Sequence, residues 1–446
     1  MGIRQALLLL ASVLMISGCS AGVSVENLLT PPKLEAEQNE IYQALINSVG
    51  TGIKLKYPKG GDYRSAFVLQ NIDDEPGNEA LVFYESASVQ AGENALRLKL
   101  LDKNDGKWNA VYDIACVGSE VDSISFAELG AGGINIIVRY SMLGKTEKSF
   151  SVINYRDGVP VELLASSYSC LEVIDLNSDG EDELFCVVPD KVNETSSAVL
   201  YASTENGFER LSETALGGGI SDYISVTKGM LNERTNALFL DYSRGSGLYG
   251  TDVVYCIGNR LINPDTAGVD IQENNISRFT NDYMAEIFCS DIDNDGFVEI
   301  PATIPLPGYE TLSRSEQLCA VRWYTVEYKK PVAKHYSYYS SKFRFVLLFP
   351  NRWQGVVTAA VNYADNEIIF YSYDSSKSIA EYDEGNELMR IRAVSRTDES
   401  LPEQEAQYKV LGENEETVYL CYETKGYKTG RLALTDAELK NCFIIL

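Results

Sequence analysis

Asp175-Leu176-Asn177-Ser178-Asp179-Gly180-Glu181-Asp182-Glu183 decides how this chain is read. Oxygen-bearing side chains stand at every second position, a glycine follows the third of them, and a carboxylate closes the stretch. A hard cation takes roughly six to eight oxygens at about 2.3–2.6 Å, so a loop that holds one must turn alternate side chains inward and bring a carbonyl close. Gly180 permits a turn that a Cβ would obstruct. The ligands expected from this spacing are Asp175, Asn177, Asp179 and Glu183, with the backbone carbonyl of Glu181, and the expected metal is Ca²⁺. A second copy, Asp291-Ile292-Asp293-Asn294-Asp295-Gly296-Phe297-Val298-Glu299, repeats the spacing and the closing Glu. It offers Asp291, Asp293, Asp295 and Glu299, with the carbonyl of Phe297. The competing reading is an acidic turn without metal. Two copies in register favour the metal.

Outward from these loops, apolar and roughly alternating runs linked by turns recur about every 50 residues, the scale of four-stranded propeller blades. Asn104-Asp105-Gly106, Arg156-Asp157-Gly158 and Glu205-Asn206-Gly207 each separate the last two runs of a unit, as hairpin turns do. The polar loop lies between the first two runs of its unit. At that place the first unit has Asn71, Asp73, Glu75 and Glu79, with its glycine displaced by Pro76. The second ends on Asn135 and the fourth on Asn236, and neither can build a carboxylate cage. The fold expected is mainly β: a β-propeller of about five four-stranded blades over residues 51–340, then a small α+β domain over 341–446. Leu34, Ile41, Leu45 and Val49 predict a helix before the first blade, stopped by Gly50. Thr435 and Glu438 predict a capped helix near the end.

The pattern Asp-x-Asn/Asp-x-Asp-Gly-x-x-Glu, placed between the first two strands of a unit, resembles the FG-GAP (VCBS-like) repeats of integrin-α-type β-propellers, including the bacterial ones. The resemblance covers roughly Tyr63 to Tyr338 and is most specific at the two full loops. It implies structural calcium that pins the strand-to-strand loop, held by the residues named above. The chain departs from that family in having acid-poor loops and about five units where the family has seven.

The N-terminus predicts export. Gly2-Ile3-Arg4 is a short basic start, Ala6 to Ile16 is an apolar run, and Ile16-Ser17-Gly18-Cys19 ends it. The small residues before Cys19 resemble the lipobox of bacterial lipoproteins. That implies a signal peptide over 1–18, cleavage before Cys19, a lipid anchor on its sulfur, and a tether and helix over 19–50. The chain is thereby expected on the extracytoplasmic face of the membrane.

A formal net charge of −26 excludes a nucleic-acid surface, and no basic patch interrupts it. Eight cysteines besides Cys19 show no CxxC pair and lie mostly in apolar runs, so buried free thiols are the first expectation and one or two disulfides, which the sequence does not pair, the alternative. The one histidine, His335, would have to serve any Ser-His-Asp or Cys-His arrangement, and no Gly-x-Ser-x-Gly elbow supplies it a partner. A strand histidine is the plainer reading. No residue is therefore singled out as catalytic. The function expected is non-catalytic binding of an envelope or extracellular partner, protein or glycan, by a membrane-anchored propeller. The alternative is a glycan-active propeller enzyme that uses paired carboxylates. A third class is an assembly or sensing accessory of the envelope.

Overall fold

The computed structural model describes residues 35–446, apart from 74, 87–94, 131–132, 145, 157–158, 206, 246–247, 265–286, 328–329, 425–426 and 428–429. The expected signal peptide, Cys19 and the tether lie outside the described residues. The chain divides into two compact units: one of residues 35–57, 65–71 and 75–115, the other of the remaining described residues.

In the first unit the expected helix runs Ala36–Val49. Gln38 Oε1 accepts the Glu35 N–H at 3.2 Å, and Gly50, at φ 86°, ends the helix in a conformation that favours glycine. Ile41 and Leu45 are buried in a cluster with Phe67, Val82, Leu101 and Trp108. The sheet beneath has an interrupted outer strand. Ile53–Lys56 and Phe67–Gln70 lie along the same edge of Glu79–Ser86, followed by Leu96–Asn104 and Lys107–Ala115. Asp105 and Gly106 both have positive φ, the conformation a tight two-residue hairpin turn requires.

The second unit opens with three four-stranded antiparallel sheets in chain order, spanning 120–168, 170–215 and 222–262. Side chains of the middle sheet alternate between two cores. Leu184, Cys186, Val199 and Tyr201 pack with Ile137, Phe150 and Val152 of the sheet before it. Phe185, Val187, Ala198 and Leu200 pack with Leu238, Leu240 and Val254 of the sheet after it. Successive side chains of a strand point to opposite faces, so such a sheet is buried on both sides. The third of these sheets meets Ile300 and Val326 of the next sheet in the same manner.

That next sheet, the fifth counted from the N-terminus, runs Ile300–Pro305, Cys319–Glu327, Lys330–Ser340 and Phe345–Leu348. Before it, among the described residues, a bridge from Ser290 to Glu299 stands where the run ahead of the second loop predicts a first strand. Phe345–Leu348, read in the sequence as the start of a terminal domain, is a strand of this fifth sheet, and Phe443–Ile445 pairs beyond it. The sixth sheet, 357–423, shares one core with the fifth that includes Leu306, Tyr338, Trp353, Phe370 and Leu439. The structure thus draws its division near residue 115 and runs continuously across 340–341, because apolar faces of both sheets bury each other.

Four sheets share a β-bulge where the second and third strands after the polar loop pair. The residue skipped by the register is Val111 in the first sheet, Leu163 in the second, Leu211 in the third and Lys334 in the fifth. All eight cysteines of the described residues are free, six of them buried.

Candidate functional site

The two acidic loops fold alike, each closed by its own backbone. Asp175 Oδ1 accepts the N–H of Asp179 at 3.1 Å and its Oδ2 accepts that of Gly180 at 3.0 Å. Asp291 accepts the N–H groups of Asp295 and Gly296 in the same way, at 3.0 and 2.8 Å. The closing carboxylates turn back: Glu183 Oε2 accepts the Leu176 N–H at 3.0 Å, and Glu299 Oε2 that of Ile292 at 2.9 Å. Ser178 and Asn294 take positive φ, as do Gly180 and Gly296, and this curls the alternate side chains inward. Asp175, Asp179 and Glu183 each place a carboxylate oxygen within 4.8 Å of the others, and so do Asp291, Asp293 and Glu299. By the spacing of their carboxylates alone, either group could hold a metal ion. Of the carboxylates that the spacing singles out, Asp295 stands outside these two groups, and its Oδ1 accepts the Phe297 N–H at 3.0 Å.

The loops differ in what surrounds them. In the first, Asn177 donates to Asp179 Oδ2 at 2.8 Å and to Asn259 Oδ1 at 3.2 Å, and Asn236 Nδ2 donates to the Asp175 carbonyl at 2.9 Å. Among the described residues no Lys or Arg pairs with Asp175, Asp179 or Glu183. In the second, the Lys334 ammonium sits 3.0 Å from Asp293 Oδ2, 2.6 Å from Asp295 Oδ2 and 2.7 Å from Glu299 Oε1. His335 Nε2 lies 2.6 Å from Asp293 Oδ2. The lone histidine therefore has a partner that sequence reasoning did not assign.

Electrostatics follow burial. Desolvation pushes the carboxyl of Glu183 up, against the N–H of Leu176. Desolvation also raises Glu299, partly offset by Lys334. Asp293 is held below the usual carboxylate range although burial opposes it, because His335 and Lys334 donate to its charged form.

The loop of the first sheet keeps its closing acid buried, since Glu79 is 4% exposed, but it joins no close acidic group among the described residues. In the second sheet Asn135 takes the buried position and donates to the carbonyls of Ala127 and Gly133 at 3.4 and 3.3 Å. The amide donates where a carboxylate could only accept, and it brings no negative charge to a cation.

Beside the first loop lies an open cleft of about 900 Å³. Its charged lining comes from three sheets: Glu128 and Arg139 from the second, Glu172, Glu181 and Asp182 from the third, Lys228 from the fourth. Lys228 Nζ lies 2.8 Å from Glu172 Oε2 and donates to the Val173 carbonyl at 2.9 Å. Arg139 donates to Ser125 Oγ at 3.2 Å and to the Leu171 carbonyl at 3.1 Å. No local sequence pattern announces this group, because the residues converge only through sheet stacking.

No protein-family model matches this chain, and no curated protein matches it in sequence. Solved structures do match. The exotype rhamnogalacturonan lyase YesX is 10% identical, with a TM-score of 0.28, over 73% of this chain and 72% of its own. A rhamnogalacturonan lyase of Bacillus licheniformis is 10% identical, with a TM-score of 0.29, over 72% and 74%. A GH43 β-1,3-galactosidase with galactodeoxynojirimycin is 10% identical, with a TM-score of 0.25, over 63% and 97%. By name these are glycan-active enzymes, and on that finding the expectation of a non-catalytic, non-enzymatic binder is not carried forward. At these TM-scores they fix neither topology nor reaction, so a mechanism has to come from the chain's own residues.

Proposed function

We propose that this chain is a glycan-active enzyme whose chemistry takes place in the cleft beside the first acidic loop. One observation carries the reading: three sheets bring Glu128, Glu172 and Asp182 together with Arg139 and Lys228 around a single open cavity. Sugar hydroxyls donate to carboxylates and accept from guanidinium and ammonium groups, so a mixed lining of this kind suits a polyhydroxylated chain. Cleavage of a glycosidic bond needs an acid and a base on either side of it, and carboxylates flanking the cleft are the candidates for both.

The same proposal includes the metal and the frame. The first loop presents only oxygen donors, the set a hard cation prefers, and Ca²⁺ is the metal we assign to it. Asp175, Asn177, Asp179, Glu183 and the Glu181 carbonyl would hold it. The face-to-face sheets are read as blades of an FG-GAP-like propeller, a reading supported by cores shared between consecutive sheets. Cys19 is read as a lipid anchor that holds the chain at the outer face of a membrane, and incorporation of labelled fatty acid, lost in Cys19→Ser, would test it.

The activity test is a panel of neutral and uronate-containing polysaccharides incubated with the chain in calcium. New reducing ends and the absorbance of unsaturated uronides are the readouts. Turnover on one class, reduced at least about 100-fold by Glu128→Gln or Glu172→Gln, supports the reading. No turnover on any class, or turnover untouched by both substitutions, contradicts it.

A further inference from the structure

We infer that Lys334 serves the second acidic loop as a tethered cation in place of a metal ion, leaving the first loop as the metal site of the pair. The inference rests on the calcium reading of the first loop.

Lys334 occupies the bulge of its sheet, where Val111, Leu163 and Leu211 stand in the others. Leu211, its counterpart beside the first loop, packs into the core cluster that contains Leu176. A bulge re-aims the side chain it carries. In the fifth sheet that side chain ends among Asp293, Asp295 and Glu299, all within 3.0 Å of its nitrogen.

A bound Ca²⁺ must lie about 2.3–2.6 Å from carboxylate oxygens, and an ammonium already bonded to three of them occupies that volume. Glu299 has no exposed side-chain surface, so its charge is met from inside the protein, by Lys334. The second loop also carries one more ligand-position carboxylate than the first, Asp293 where the first has Asn177, and Asp293 is the acid that both His335 and Lys334 contact. The extra ligand-position carboxylate and the two basic groups occur together. Among the described residues the first loop has neither.

Equilibrium dialysis of the chelator-stripped full chain against labelled calcium tests this. The wild type should bind one calcium, Asp179→Ala none, and Lys334→Met two. Should Lys334→Met fail to fold, the wild-type count with Asp179→Ala and Asp291→Ala decides alone: the single calcium is lost in the former and kept in the latter. Two calciums in the wild type would overturn the inference while keeping the calcium reading. A single calcium that survives Asp179→Ala and disappears in Asp291→Ala would overturn it as well. No calcium in any of these chains would overturn the calcium reading itself, and the inference with it.

Discussion

Lys334 reaches Glu299 across 2.7 Å and supplies the positive charge for a carboxylate that has no exposed surface. Removing one partner of such a pair leaves a buried charge uncompensated, which costs about 3–5 kcal/mol. Lys334→Met should therefore lower stability in chelator by an amount in this range, read from urea unfolding. A loss below about 0.5 kcal/mol would mean that the pair is no better than an exposed one.

Gly229 lies against the second loop so closely that a Cβ there would stand 2.4 Å from Val298 Cγ2. The same contact carries a backbone bond, Val298 N–H to the Met230 carbonyl at 3.1 Å. Gly229→Ala should cost about 1–3 kcal/mol by overpacking. Val298→Ala in the same chain should recover part of that loss, since the two positions are coupled. Equal stability of wild type and Gly229→Ala would show that the hairpin does not press on the loop.

Arg352 grips Glu438 with both nitrogens, at 2.7 and 2.9 Å, while the Thr435 N–H donates to the same carboxylate. These bonds, that from Arg352 first, hold the Glu438 carboxyl down at about 2, against a usual 4.5. A carboxylate depressed in the folded state stabilises above its unfolded value and loses that contribution as pH falls through the folded one. The urea midpoint of wild type should exceed that of Glu438→Gln at pH 6, and the gap should close between pH 4.5 and 2. A gap that stays constant with pH would show the carboxylate charge to be irrelevant there.

Lys228 ties Glu172 to the fourth sheet at the cleft. Lys228→Met should leave the fold intact, because the pair is partly exposed and such pairs contribute about 0–1 kcal/mol. Glycan turnover should fall at least about tenfold, since the substitution frees Glu172 and removes a donor from the lining. Unchanged turnover would place the chemistry outside this cleft.

Much of the frame was legible in the chain. Alternating runs around Asn104-Asp105-Gly106 mark a hairpin because only a few residue types accept two positive φ values in succession. The acidic loops were legible because the acids at their ligand positions are local, successive ones two to four residues apart along the chain. Thr435 and Glu438 were legible for the same reason, and their capping bonds are present in the structure. What escaped was non-local. Ile53–Lys56 is a short strand whose only warrant is its pairing with Phe83–Ser86, and Phe443–Ile445 pairs with a strand nearly a hundred residues earlier. Lys334 enters the second loop through a one-residue bulge, which shifts a side chain without leaving a signature in composition. The cleft is hidden for a further reason: its six charged residues belong to three sheets and become neighbours only after the sheets stack.

The account turns on the first loop being a metal site that shapes the wall of the cleft, where Gly180, Glu181 and Asp182 stand. The measurement that tests this most directly is a thermal melt of the wild type and Asp179→Ala, each in calcium and in chelator. A ligand that binds only the folded state raises stability by RT ln(1 + [L]/Kd), about 2.7 kcal/mol at a hundredfold excess over Kd. The account predicts a calcium-dependent rise in the wild-type midpoint that is absent from Asp179→Ala, with the two chains similar in chelator. A wild-type midpoint indifferent to calcium, or an equal rise in both chains, would contradict it.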